Sequence, residues 1–233
     1  MTSCRAIAAD KHLQRSAPWR SEIAGRNLVV HLPEVYRILG WAPLGGGRSR
    51  ASLIINHQVE IGERAATEAP RRHLSAVARS LGHDPRRTVA MMTGAKVRRV
   101  ATFTLTRGDL IVSAWCTAGC SNALRVGDSA TVESMLPGTI NLIVAINQPL
   151  SEAAMVEAIQ IATEGRVAAV LDAHVRSTVS GKPATGTGTD CIIVACPDRL
   201  PAHDYCGKHT RLGELIGRAA MTSCSRALAK NGL

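Results

Sequence analysis

The sequence predicts an α+β domain in which a mixed, largely antiparallel sheet is covered by a few helices. Three observations lead there. Strand-like apolar runs outnumber helical ones in the first half of the chain, and short turn signals separate them. A strand–helix–strand rhythm appears only in the second half. Aromatics are 3% of the chain and Phe103 is its only phenylalanine, so the core must be built from Val, Ile, Leu, Ala and Met. That composition suits β-branched strands under Ala-rich helices. A length of 233 residues allows one sizeable core or two small ones.

The elements follow in order. Residues 1–25, with Pro18 and several arginines, read as a basic mobile arm, so the domain is expected over 26–233. From Asn27, NLVVHL, YRILGW and ASLIINHQV read as strands, with LGGGRSR (44–50) as a hairpin or wide turn before the third. Pro70 to Leu81 reads as a helix with Leu74, Val77, Ala78 and Leu81 on one face, stopped by Gly82. TVAMMTG is a short buried strand or a loop entry, and VRRVATFTLTRGDLIVSAWC a hairpin turning at Arg107-Gly108-Asp109. After the polar connector TAGCSNALRVGDSAT comes the apolar strand TINLIVAIN, closed by Pro149. Ser151 caps the next helix, with Glu152 in its first turn, and the helical pattern runs past Gly165 to Leu171. CIIVACP is a further strand. The last helix spans Thr210 to Ala229, where Gly213 and Gly217, four apart, predict close approach of a strand backbone.

Composition narrows the function classes. The formal net charge is +10, yet the arginines fall in separated pairs (71–72, 86–87, 98–99) instead of one patch. Six aromatics offer little for base stacking, so no nucleic-acid partner is expected and the basic surface reads as solvated. Met1 to Asp10 lacks the apolar stretch of a signal peptide, and no run reaches the length of a membrane span. Seven cysteines, an odd number, then read as reduced thiols of a cytoplasmic protein with no membrane partner. Cys116/Cys120 and Cys191/Cys196 miss the C-x2-C spacing of zinc knuckles, and strand alternation sends the second pair to opposite faces. No metal is expected.

No phosphate loop, dinucleotide fingerprint, nucleophile elbow or H-E-x-x-H motif is present. Four polar segments beside apolar strands carry the remaining chemistry. Gly45, Gly46 and Gly47 in WAPLGGG either admit a ligand to the backbone or form a flexible turn. Asn56 and His57 end the strand IINHQV, and His57, whose ordinary pKa lies near neutrality, is a general base or a hydrogen-bonded structural histidine. CTAGCSNALRVG gathers Cys116, Cys120, Ser121 and Asn122, where a turn of small residues outweighs a thiol nucleophile. In TGTGTD, Gly186 and Gly188 free backbone N–H groups to converge on an oxyanion or phosphate, Thr187 and Thr189 offer hydroxyls, and Asp190 orients or deprotonates. The alternative is a tight turn into a strand, with Asp190 bonded to local N–H groups.

Taken in order, WAPLGGG, IINHQV, MMTGAKV, CTAGCSNALRVGD, NLIVAINQPLSEAAMVEAIQIATE, KPATGTGTD and YCGKHTRLGELIG resemble the adenosylcobinamide amidohydrolase family, across Leu28 to Ala220. The resemblance implies hydrolysis of the amide joining the aminopropanol arm to the corrin ring of adenosylcobinamide. The products would be adenosylcobyric acid and aminopropanol, in corrinoid salvage for cobalamin biosynthesis. No cofactor is required beyond the cobalt-containing substrate. A macrocycle bordered by amides calls for a broad site, with the Gly-rich loops, Asn56, Asn122 and Asn147 bonding those amides. Thr187, Thr189 and Asp190 are then expected at the reacting carbonyl, with His57 or His209 as proton shuttle and Ser121 nearby. Gly213 and Gly217 serve a subunit contact as readily as an internal one, so a homo-oligomer stays open. Three rivals remain beside hydrolysis: a corrinoid-binding or regulatory module without catalysis, a metal-dependent amidohydrolase using His57, His73 or His209 with a cysteine or Asp190, and, against the expectation above, a nucleic-acid binder built on the +10 charge.

Overall fold

Strand alternation and one long bent hairpin determine how the domain is layered. The computed structural model describes residues 16–60, 62–130 and 138–233. The strands are β1 (Arg20–Ala24), β2 (Asn27–Gly40), β3 (Gly47–Gln58), β4 (Thr88–Thr93), β5 (Ala101–Arg107), β6 (Leu110–Ala118), β7 (Ala123–Leu124), β8 (Ile140–Ile146), β9 (Gly186–Thr187) and β10 (Cys191–Pro197). The helices are α1 (Arg64–Glu68), α2 (Pro70–Ser80), α3 (Glu152–Asp172) and α4 (Arg211–Ala229). Eight strands join one mixed sheet in the order β4-β3-β2-β10-β8-β6-β5, with β1 on the free flank of β2, while β7 and β9 pair separately. The expected α+β class with a mixed sheet is the observed one.

The sheet folds over on itself along β2 and β3. Their antiparallel register breaks between His31 and Tyr36, where residues 32–35 of β2 stand opposite Ser52 alone. Pro33, which has no N–H to give a ladder, sits in that bulge. NLVVHL and YRILGW, expected as separate strands, are therefore the two arms of one bent strand. The first arm pairs with β1 and the second with β10.

Alternation then fills three interiors. Val29, Leu53, Ile55 and Ala90 point outward against Leu74 and Ala78 of α2. Leu28, Val30, Ile54, Val89 and Met91 point inward against Trp115, Ile143, Ala145, Ile193 and Ala195 of the other half-sheet. Val112, Ala114, Leu142, Val144 and Val194 face α3 and α4. The order is helix, half-sheet, half-sheet, helices. Cys191 and Cys196 fall on opposite faces, the first between the half-sheets and the second under the helices.

Three expectations need correction. The arm assigned to residues 1–25 ends in β1, which pairs with β2 through Arg20↔His31 to Ala24↔Asn27; residues 1–15 lie outside the described part. A strand–helix–strand unit is present in the first half too, since β3 and β4 run parallel across α1 and α2, as β8 and β10 do across α3. Gly213 and Gly217 do not meet a strand. A Cβ at Gly213 would collide with the Cys206 and Gly207 carbonyls, and one at Gly165 of α3 would sit 3.1 Å from the Gly217 carbonyl of α4. Ser151 and Thr210 cap α3 and α4, accepting from Ala154 N and Gly213 N.

Candidate active site

The ends of β3, β4 and β6 and the starts of β8 and β10 meet at one end of the folded sheet, and the polar residues of the sequence gather there. Parity places Asn56, Thr117 and Asn141 between the half-sheets, in line with Ile54, Trp115 and Ile143. Each is 1% exposed. Asn56 Nδ2 donates to Thr117 Oγ1 at 2.9 Å, and Asn141 Nδ2 donates to Asn56 Oδ1 and to the Met92 carbonyl, both at 2.8 Å. Asn141 Oδ1 is buried and meets no donor among the described residues. An orphaned acceptor of this kind costs about 1–3 kcal/mol, which any N–H or O–H group reaching it, a water included, would offset.

Two positions further out on the same face of β8 stands Thr139. Its hydroxyl pairs with Thr189 Oγ1 at 2.8 Å, and Thr189 Oγ1 lies 3.0 Å from the Gly138 carbonyl, which can only accept. The protons therefore run from Thr139 to Thr189 to Gly138. Asn122 packs over the same glycine: a Cβ at Gly138 would collide with Asn122 Oδ1 and come within 2.9 Å of Ser121 Oγ. Asn122 Oδ1 is a second buried acceptor without a donor among the described residues.

Asp190 faces the other way, toward α3. Its carboxylate accepts from Thr187 N and Ile140 N, each at 2.9 Å, from the Thr187 hydroxyl, and from Arg166 at 2.6 Å. With every lone pair engaged, Asp190 orients the loop; abstracting a proton would first require breaking this set. A Cβ at Gly186 would collide with Asp190 Oδ2, which explains that glycine, whereas Gly188 is exposed. Trp41 N donates to the Ile192 carbonyl at 3.2 Å, two residues beyond Asp190, and Trp41 is 60% exposed.

Other expected site residues lie elsewhere. His57 follows Asn56 but points to the opposite face of β3, where its Nδ1 meets Asn27 Oδ1 at 2.7 Å and its ring stands 5.1 Å from that of His73 on α2. Burial, with the nearby His73 and Arg26 charges, lowers its pKa to about 4. Asn147 caps the β5–β6 hairpin, accepting from Ile111 N and donating to the Asp109 carbonyl. It lies six residues along the strand from Asn141, about 20 Å away. His209 is exposed on the loop before α4, beside Gly207 and Glu157. Among the described residues the Thr189 hydroxyl is bonded to Thr139 and Gly138, and neither histidine is among its partners. Gly45 packs on Thr88 and Val89, three or four positions down β4 from the mouth, with Gly46 and Gly47 next to it.

Thr117, Thr139, Asn141, Arg166 and Trp41 escaped sequence reasoning. Asn141 carried a signal, as the only polar side chain inside the apolar run INLIVAI. One groove of about 360 Å³ lies away from these residues, between the β2–β3 hairpin and the start of α3. Its arginines are already paired, Arg48 with Glu152 and both Arg37 and Arg50 with Asp198.

Fold and mouth together define an α+β protein with a recess of carboxamides and hydroxyls at one end of a folded sheet. The chain belongs to the adenosylcobinamide amidohydrolase family, whose profile matches residues 12–232. An uncharacterized protein of Methanocaldococcus jannaschii is 34% identical over 60% of the chain and 62% of its own length. Proteins named adenosylcobinamide amidohydrolase are 29% identical in Methanosarcina mazei, over 81% of the chain and 88% of that protein, and 30% identical in Halobacterium salinarum, over 54% and 51%. The chain thus spans less than two thirds of two of these relatives. A Pyrococcus horikoshii protein of known crystal structure aligns over 91% of the chain and 83% of its own, with a TM-score of 0.44 and 8% identity. No helix among the described residues is long and apolar enough to cross a membrane.

Proposed function

We propose that the protein hydrolyses the amide between the aminopropanol arm and the corrin ring of adenosylcobinamide, releasing adenosylcobyric acid and aminopropanol for cobalamin biosynthesis in the cytoplasm. The observation that carries this reading is the pair of orphaned carboxamide acceptors, Asn122 Oδ1 and Asn141 Oδ1, beside the ordered Thr139–Thr189 hydroxyls. A corrin periphery is rich in amide N–H groups, and these acceptors suit them. Trp41 offers a flat apolar surface to the macrocycle at the rim. The scissile carbonyl lies over Thr189, whose hydroxyl turns from Gly138 to the developing oxyanion, with Gly188 admitting the carbonyl to the backbone. Thr187 and Asp190 hold that loop in place, and Ser121, Asn122 and Asn56 line the rest of the recess.

Incubation of the purified chain with adenosylcobinamide, followed by mass spectrometry of the corrinoid, tests the reading. Release of aminopropanol is expected, and Thr189→Ala should lower turnover by about 10²–10³. Tight binding with no release would make the chain a corrinoid-binding module instead.

A further inference from the structure

A second polar cluster, outside the mouth, joins the end of β3 to α1 and α2. Asn27 Nδ2 donates to the Ala24 carbonyl at 3.0 Å, which turns Asn27 Oδ1 toward His57 Nδ1 at 2.7 Å. An amide oxygen only accepts, so Nδ1 carries the His57 proton and Nε2 bears the lone pair. His57 is 3% exposed and its Nε2 meets no hydrogen-bond partner among the described residues; neither does the buried His73 Nε2. Glu63 Oε1 lies 3.7 Å from His73 Nε2, and one ligand atom from each of the three residues falls within 4.8 Å of the others.

We propose that His57, His73 and Glu63 form a binding site for a divalent transition-metal ion of the zinc type. Two buried imidazole nitrogens with no partner among the described residues converge on a carboxylate that already accepts from Arg26 and Glu60 N, and one cation would draw on all three as ligands. Two imidazole nitrogens and a carboxylate oxygen match zinc's ligand preference and leave a fourth position open to water. The Asn27–His57 contact is the outer-shell hydrogen bond that fixes tautomer and ring direction in metal-binding histidines. Arg26 grips the Glu63 carboxylate at 3.1 and 3.3 Å, orienting it in the same way. Zinc bonds of about 2.0–2.2 Å at tetrahedral angles set ligand atoms roughly 3.3 Å apart, so the cluster must contract. His73 and Glu63, whose side chains are 13% and 21% exposed, rotate inward from the solvent side while His57 stays fixed. None of the cysteines takes part, and the site is independent of the amide hydrolysis proposed for the mouth.

Calorimetric titration of the chelator-stripped chain with Zn²⁺, and visible spectroscopy with Co²⁺, test the assignment. One equivalent is expected, without a thiolate charge-transfer band, and bound zinc should raise the thermal midpoint. His57→Ala and His73→Ala should abolish that equivalent, and Asn27→Ala should weaken it by about 10–100-fold. His73→Gln, at the half-buried edge, keeps the comparison open where His57→Ala fails to fold. No binding by the stripped chain, binding that survives His73→Gln unchanged, or a thiolate band would each overturn the proposal. None of these outcomes bears on aminopropanol release.

Discussion

Arg166 of α3 donates to the Asp190 carboxylate at 2.6 Å, with only 12% and 6% of the two side chains exposed. The same carboxylate holds Thr187 and the first residue of β8, so one ion pair ties helix, loop and strand together. Breaking a buried pair from one side strands the other charge, typically at a cost of about 3–5 kcal/mol. Arg166→Ala should therefore lower the urea midpoint sharply, and so should Asp190→Asn, which strands the Arg166 charge and turns an amide NH2 toward two donors. The double variant should be more stable than Arg166→Ala alone, because no unpaired carboxylate remains. If all three unfold at the wild-type midpoint, the pair does not organise the loop. Turnover is to be compared only where each variant is folded.

Asn141 makes a separate prediction. Its amide nitrogen serves both Asn56 Oδ1 and the Met92 carbonyl, joining the two half-sheets beside Thr117. Asn141→Leu removes both donors and leaves two buried acceptors unmet, at about 1–3 kcal/mol each. Thermal unfolding should show the loss directly. Asn56→Ala should cost less on top of Asn141→Leu than it does alone, since the contact between them is already gone; strict additivity would mean that the amides act separately.

How much of this was legible depends on which physical rule governs each residue. The apolar runs of β6, β8 and β10 and the cap at Ser151 are local features, and they fell where pattern and capping chemistry put them. β1 was missed because RSEIA is almost wholly exposed and has no apolar period; its pairing is decided by β2. The site was legible as a set of loops but not as a geometry. TGTGTD and SN do meet at one mouth, yet Asn56 and His57, neighbours in sequence, diverge because adjacent strand residues face opposite ways. Asn147 and His209 had the right chemistry for the site but lie elsewhere, a matter of strand length and connectivity that no short motif reports.

That relocation can be checked by activity. His209 is exposed beside Gly207 and Glu157, and Asn147 spends its amide on the β5–β6 hairpin. His209→Ala should keep turnover within about threefold of wild type, the scale of a surface change. Asn147→Ala should lower stability with little change in turnover per folded molecule. A hundredfold loss in His209→Ala would return that histidine to the mechanism.

The thiols give the last prediction. Cys120 sits at the mouth beside Ser121, where a nucleophile would be useful, but burial pushes its pKa up to about 11, with the Asp190 charge acting in the same direction. Burial, with the Cys224 thiol beside it, pushes Cys116 well up too. A raised thiol pKa keeps the neutral, unreactive form below that value. At pH 8 roughly one Cys120 in a thousand is thiolate, against about one in four for a free cysteine of pKa ~8.5. Alkylation by iodoacetamide, followed by peptide mass mapping, should therefore label Cys120 roughly two hundredfold more slowly than a model peptide. The rate should climb about tenfold per pH unit toward pH 11, as the thiolate fraction does. Cys120→Ser should hydrolyse adenosylcobinamide at close to the wild-type rate. Fast labelling at pH 8 together with an inactive serine variant would make Cys120 the nucleophile, with Thr189 still the donor to the oxyanion.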